Sequence, residues 1–141
     1  MPATALHNQQ ILHDTVSQMI YYLPKQNCLH VQWLGHHDAD TALEGCKNIL
    51  ELVRTTNSTR LLNDSSEAFG EWRELAQWIG ATFVPQLQAA GIEAIAWVNA
   101  MDWPARSCVA SSMHYLREPA VVAFEFDELD AAHEWLQEAG R

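Results

Sequence analysis

The feature that most limits the fold is a regular alternation of strand-like and helix-like apolar rhythms along the 141 residues. Ser17–Leu23 reads as a strand, and Cys28–Leu34 alternates with a period of two. Between them, Pro24-Lys25-Gln26-Asn27 is turn chemistry, so the pair predicts a β-hairpin. From about Ala39 to Arg54, Leu43, Cys46, Leu50 and Val53 recur at three- and four-residue steps. Thr41 and Glu44 have capping-box spacing there, and Asp38 or Asp40 is an alternative cap. Thr59–Asn63 is a short strand. Trp72, Leu75, Ala76, Ile79 and Phe83 then mark a helix from about Gly70 to Ala90, in which Pro85 should kink or split the turn near Ala81–Val84. Ala94–Asn99 lacks alternation, as a strand covered on both faces should. Asp102-Trp103-Pro104 opens a helix, Ala120–Phe126 is the last strand, and Asp127 caps a final helix that Gly140 ends.

Strand–helix–strand order favours parallel neighbours joined by right-handed crossovers. The expected fold is therefore α/β, with a leading β-hairpin, βαβαβα units after it, a mixed sheet of about five strands and four helices. Residues 1–14 read as a polar leader and 15–141 as one domain. A chain of this size buries roughly 68–70% of its unfolded surface and needs no metal or disulfide to hold its core.

The formal net charge of −10, from 8 basic and 18 acidic residues, repels phosphate backbones and anionic headgroups. Nucleic acid is thus not an expected partner; solubility alone accounts for the charge, and a basic or neutral protein partner stays open. No apolar run approaches the roughly 20 residues that span a bilayer, and Met1–Asp14 lacks the pattern of a signal peptide. Cys28, Cys46 and Cys108 are an odd, widely spaced set in apolar segments. They fit small buried thiols in a reducing, cytoplasmic compartment.

In detail the chain resembles the STAS domain of anti-sigma-factor antagonists, the SpoIIAA-like fold, and most of all its small stand-alone bacterial relatives. The points of likeness are Gln32-Trp33-Leu34-Gly35 closing the hairpin, the Leu61–Asp64 strand end, and an aromatic-rich helix with an internal proline and an Ala-Gly end (Trp78, Phe83, Pro85, Ala90-Gly91). The similarity spans about Ser17 to Ala139. It implies a non-enzymatic interaction or signalling module with a protein partner, with homodimerisation as a further option. In true antagonists a serine after this strand, within Asp-Ser-Ser-Gly-Leu-Gly, is phosphorylated by a partner kinase. The matching segment here is Asp64-Ser65-Ser66-Glu67-Ala68-Phe69-Gly70. The resemblance makes Ser65 or Ser66, beside Asp64, the candidate phospho-acceptor. Glu67, however, disfavours an added phosphate by like-charge repulsion.

Ligands of open α/β sheets sit beyond the carboxyl ends of the parallel strands. That rule expects loops at Gly35–Asp40, Asp64–Gly70 and Ala100–Trp103, and a turn at Asp127, to converge on one rim. The alternative function is a small-molecule or lipid carrier, analogous to the CRAL-TRIO domains of related sheet topology. Its aromatic pocket would be walled by His36, His37, Phe69, Trp72, Trp78 and Trp103. His36-His37-Asp38 lacks the spacing of a zinc site, so no metal and no cofactor is expected. Asp64-Ser65-Ser66 is turn and cap chemistry, without a GxSxG elbow, so no catalytic residue is assigned. His7, His13, His30, His114 and His133 read as scattered surface or boundary residues with no common site.

Overall fold

The computed structural model describes residues 9–116 and 121–139. One six-stranded sheet runs in chain order: β1 (Gln10–Asp14), β2 (Gln18–Leu23), β3 (Cys28–His37), β4 (Arg60–Gly70), β5 (Ala94–Val98) and β6 (Val121–Phe124). The pairs β1–β2 and β2–β3 are antiparallel, while β3 to β6 are mutually parallel. The α/β class, the mixed sheet and the four helices agree with the sequence reading. The sixth strand, β1, comes from the second half of the expected leader. The first eight residues of that leader, the expected strand start at Ala120 and the helix stop at Gly140 lie outside the described residues.

Helix α1 (Ala39–Thr56) begins at Asp38, whose carboxylate accepts the Thr41 N–H at 2.9 Å while Thr41 Oγ1 accepts the Asp38 N–H at 3.0 Å. The capping box is therefore Asp38 with Thr41, not Thr41 with Glu44. Helix α2 (residues 73–89) is composite: a 3-10 turn (Arg73–Leu75), an α turn (Ala76–Trp78), a π segment (Ile79–Phe83) and an α end (Val84–Ala89). Pro85 has no N–H to give the carbonyl four residues back. The chain widens just before it, where the Val84 N–H bonds Ile79 O, five residues back. Helices α3 (Trp103–His114) and α4 (Leu129–Ala139) complete the set.

Alternation along the strands divides the core. Leu29, Val31 and Trp33 of β3, Leu61 of β4, and Ile95 and Trp97 of β5 face α1, α2 and α3. Cys28, Leu62, Ala94, Ala96 and Val98 face the opposite way, under Ala132 and Leu136 of α4. Ile49 and Val53 of α1 are fully buried, and burial of such a side chain stabilises by about 1.5–3 kcal/mol. The three cysteines are free and buried.

The main departure lies at the carboxyl ends of β3 and β4. Gly35–His37 and Asp64–Gly70, expected as loops, are strand. Their ladder continues to His36 opposite Phe69 and His37 opposite Gly70. Gly70 adopts φ +112°, and a Cβ there would strike the His37 backbone, so the final pairing depends on glycine.

Candidate functional site

β4 organises both faces of the sheet. Asn63 Oδ1 accepts the Trp33 indole N–H at 2.6 Å from β3, and Ser65 Oγ accepts the Trp97 indole N–H at 3.1 Å from β5. Two large indoles are thus buried on the three-helix face because β4 places an acceptor beside each. The register between Gln32–Asp64 and Leu34–Glu67 sets Ser65 and Ser66 against Trp33 alone, a β-bulge. The Ser66 N–H at this bulge bonds Asp64 Oδ1 at 3.0 Å. One extra residue inverts the side-chain alternation: Asn63 and Ser65 face the core, then Ala68 does, and Phe69 is turned outward.

On the other face, Asp64 Oδ2 lies 3.8 Å from His30 Nε2, and the His30 and His133 rings meet edge to face at 5.4 Å. Two of the histidines expected to be scattered are therefore joined, because α4 lays His133 over β3 and β4. Burial pushes the Asp64 carboxyl up. The His30 imidazole beside it and the bond from the Ser66 N–H outweigh that, and its pKa lies below the ordinary value. Burial holds His133 below the ordinary imidazole value, and His30 pushes the same way.

The predicted pocket residues separate into three places. His37 and Trp72 line an apolar cavity of about 30 Å³ inside the three-helix face, shared with Trp33, Leu61, Phe83 and Trp97. Trp78 lies on the core's edge, stacked on Phe83 with ring centroids 5.6 Å apart. His36, Phe69 and Trp103 are on the outer rim, His36 and Phe69 in edge contact at 5.8 Å. His36 and His37 cannot share an ion from one strand, since neighbours point to opposite faces. Both His37 nitrogens are in any case engaged, Nε2 with Ser17 O at 3.0 Å and Nδ1 with Thr41 Oγ1 at 3.1 Å. Burial holds His37 below its ordinary pKa. Among the described residues no cluster of three or more His, Cys, Asp or Glu side chains could hold a metal ion.

The rim itself is well ordered. Asp102 caps α3 through the Ala105 N–H at 3.3 Å, and the same oxygen accepts the Gly70 N–H at 3.2 Å, tying the end of β4 to the start of α3. The Met101 N–H reaches Ser66 O at 3.4 Å. Around these ties stand Phe69, Met101, Trp103 and Phe126, exposed by 48%, 65%, 75% and 37%. Sequence reading missed Met101 and Phe126. Their signal, a large apolar residue just past a parallel strand, was present at both positions.

Against this geometry, residues 28–137 match the sequence model of the SpoIIAA-like family. The chain belongs to the SpoIIAA-like family. No curated protein sequence matches it. The match begins at β3, so the hairpin's first strand and β1 stand outside it. Within this SpoIIAA-like domain the Asp-Ser-Ser segment is strand, not loop: Ser65 is only 3% exposed and hydrogen-bonded to an indole, and Ser66 is half-buried at the bulge. No helix among the described residues is long and apolar enough to cross a membrane.

Proposed function

We propose that this SpoIIAA-like domain is a non-enzymatic interaction module that docks a protein partner on the rim at the carboxyl end of its parallel strands. The observation that carries the reading is the gathering there of Phe69, Met101, Trp103 and Phe126, four of the eight exposed large hydrophobic residues among those described. Contiguous exposed apolar groups with a polar border mark interaction surfaces, and Trp and aromatic anchors dominate their energetics. The border is acidic, with Glu67, Glu71, Glu125 and Asp127 exposed. Of its arginines, Arg106 is paired with Glu125 at 2.5 Å. A partner with a basic fringe complements such a patch, and an anionic headgroup layer does not.

The test is site-specific photocrosslinking in the native host, with a benzophenone side chain at position 69, 103 or 126 and controls at Arg54 and Glu93 at the other end of the strands. One protein adduct common to the three rim positions and missing from both controls is expected. Adducts that are equal at the control positions, or none at any rim position, refute the reading.

A second reading, an apolar small-molecule or lipid carrier, draws on the internal cavity. Its volume of about 30 Å³ admits a water or a methyl group, far below the roughly 300–1,000 Å³ of sites for drug-sized ligands. A carrier must therefore open along α2, whose π segment supplies part of the wall. Native mass spectrometry of freshly purified protein tests this. A bound apolar mass that leaves on Phe83→Ala supports it, and a bare chain refutes it.

A further inference from the structure

A second pocket, of about 140 Å³, lies between α1 and the β1–β2 turn region. It is separate in character from the apolar cavity, though Trp33 and His37 line both. The hydrogen-bond ledger of this pocket is one-sided. Gln18 Nε2 is committed to Gly45 O at 3.2 Å, and Asn48 Nδ2 is committed to Gln18 Oε1 at 3.3 Å. His37 is spent on Ser17 O and Thr41 Oγ1. One N–H of each amide is thus turned to the protein, and the second acceptor of the pair, Asn48 Oδ1, is left over. Glu44 adds a carboxylate that takes part in neither of the two ion pairs found among the described residues. No lysine or arginine lines the pocket, and Trp33 gives it an aromatic wall.

A carboxylate, a spare amide oxygen and an indole together recognise an organic cation, which supplies N–H donors and charge to the first two and favours the third. An anionic ligand would meet the Glu44 charge with no lysine or arginine in the lining to offset it. The volume suits a group of a few heavy atoms. We infer that this pocket binds an alkylammonium or guanidinium group, held by Glu44 and Asn48 against Trp33. Such a group is carried by a free small amine or by a basic side chain of another protein. The inference is independent of the rim, and its failure leaves the rim reading untouched.

Titration of ¹⁵N-labelled full-length protein with methylguanidinium, n-butylammonium and N-acetyl-arginine amide tests it, followed at the Gly45 and Asn48 amides and the Trp33 indole N–H. Saturable shifts confined to these groups are expected, with the apparent Kd raised at least tenfold in Glu44→Gln and unchanged in the exposed control Glu51→Gln. Acetate should leave the same signals still. Two saturable patterns support the site and assign its source: arginine amide binding as tightly as methylguanidinium points to a protein side chain, and binding of the free amines alone points to a small molecule. Non-saturating shifts spread over the acidic surface, or an unchanged Kd in Glu44→Gln, overturn the inference.

Discussion

Gly45→Ala offers a sharp test of the packing around β4. Gly45 lies inside α1, where a glycine ordinarily costs about 1 kcal/mol relative to alanine, so the substitution should stabilise an unconstrained helix by that amount. Here a Cβ would overlap Cζ3 and Cη2 of the Trp33 indole and crowd Gln18 Nε2 at 2.9 Å. Overpacking of this kind costs about 1–3 kcal/mol. If the indole yields, its N–H leaves Asn63 Oδ1, a nearly buried acceptor whose orphaning costs about 1–3 kcal/mol more. Two penalties of about 2 kcal/mol each, less the helix gain of about 1, leave a net loss of about 3 kcal/mol. For a domain of this size that is a fall in Tm of about 10 °C. Urea denaturation and thermal melts followed by near-ultraviolet circular dichroism measure it. Phenylalanine lacks the overlapping benzo atoms, so in a Trp33→Phe background the sign should reverse, Gly45→Ala stabilising by about 1 kcal/mol. A Gly45→Ala protein as stable as wild type, or an equal loss in both backgrounds, would refute the reasoning.

Ser65→Ala should cost about 1–3 kcal/mol by leaving the Trp97 indole N–H without its acceptor, and Ser65→Asp should cost more by burying a charge on the same face; urea midpoints check both, and a Ser65→Asp protein of wild-type stability would remove the argument. Stability should fall as pH drops below about 6.5, because His37 and His133, both held below that value in the fold, take up protons more readily once unfolded. The decline levels off below the folded-state values, and a midpoint that is flat or rises from pH 7 to pH 5 counts against it. The Arg106–Glu125 pair is solvent-exposed on both sides, so Arg106→Ala should change the urea midpoint by the equivalent of less than about 1 kcal/mol.

Much of the fold was legible because its signals are local. The hairpin turn carries its own chemistry at Pro24–Asn27, Asp102 and Pro104 announce α3, and Pro85 places the irregular turn of α2 within a residue or two. β1 was not legible: Gln10–Asp14 has five mostly exposed residues and gains its strand geometry from pairing with β2, which no local pattern reports. The length of β4 was hidden for a related reason. Asp64, Ser65 and Ser66 have turn propensity, and the ladders that β4 makes with its neighbours hold the segment extended. The candidate site suffered in turn. Asn63 and Ser65 look like the start of a polar loop until Trp33 and Trp97 are set beside them in neighbouring strands. Likewise His30, Asp64 and His133 are brought together by strand register and helix docking over a separation of about a hundred residues.

The Asp-Ser-Ser segment shows how a shared motif can part from a shared surface. In a loop, both hydroxyls would meet solvent, and a kinase could reach either one. The bulge here instead fixes Ser65 toward the buried Trp97 indole and Asp64 toward His30, so both faces of the strand are committed to internal partners. Reaching Ser65 would require lifting the helices from this face of the sheet, a sub-global opening of the core. The rim and the α1 pocket need no such opening: Phe69 emerges at the strand ends because the same bulge inverted the alternation, and Gly45 leaves room for Trp33 on the α1 side. Deleting Ser66 tests the register directly. The ladder would then run Trp33–Ser65, Leu34–Glu67 and His36–Phe69 without a break, so Phe69 should stay outward and Ala68 inward, and benzophenone at positions 69 and 103 should both keep any rim adduct. Loss of the adduct at position 69 alone would mean that pairing with β3 does not set the rim.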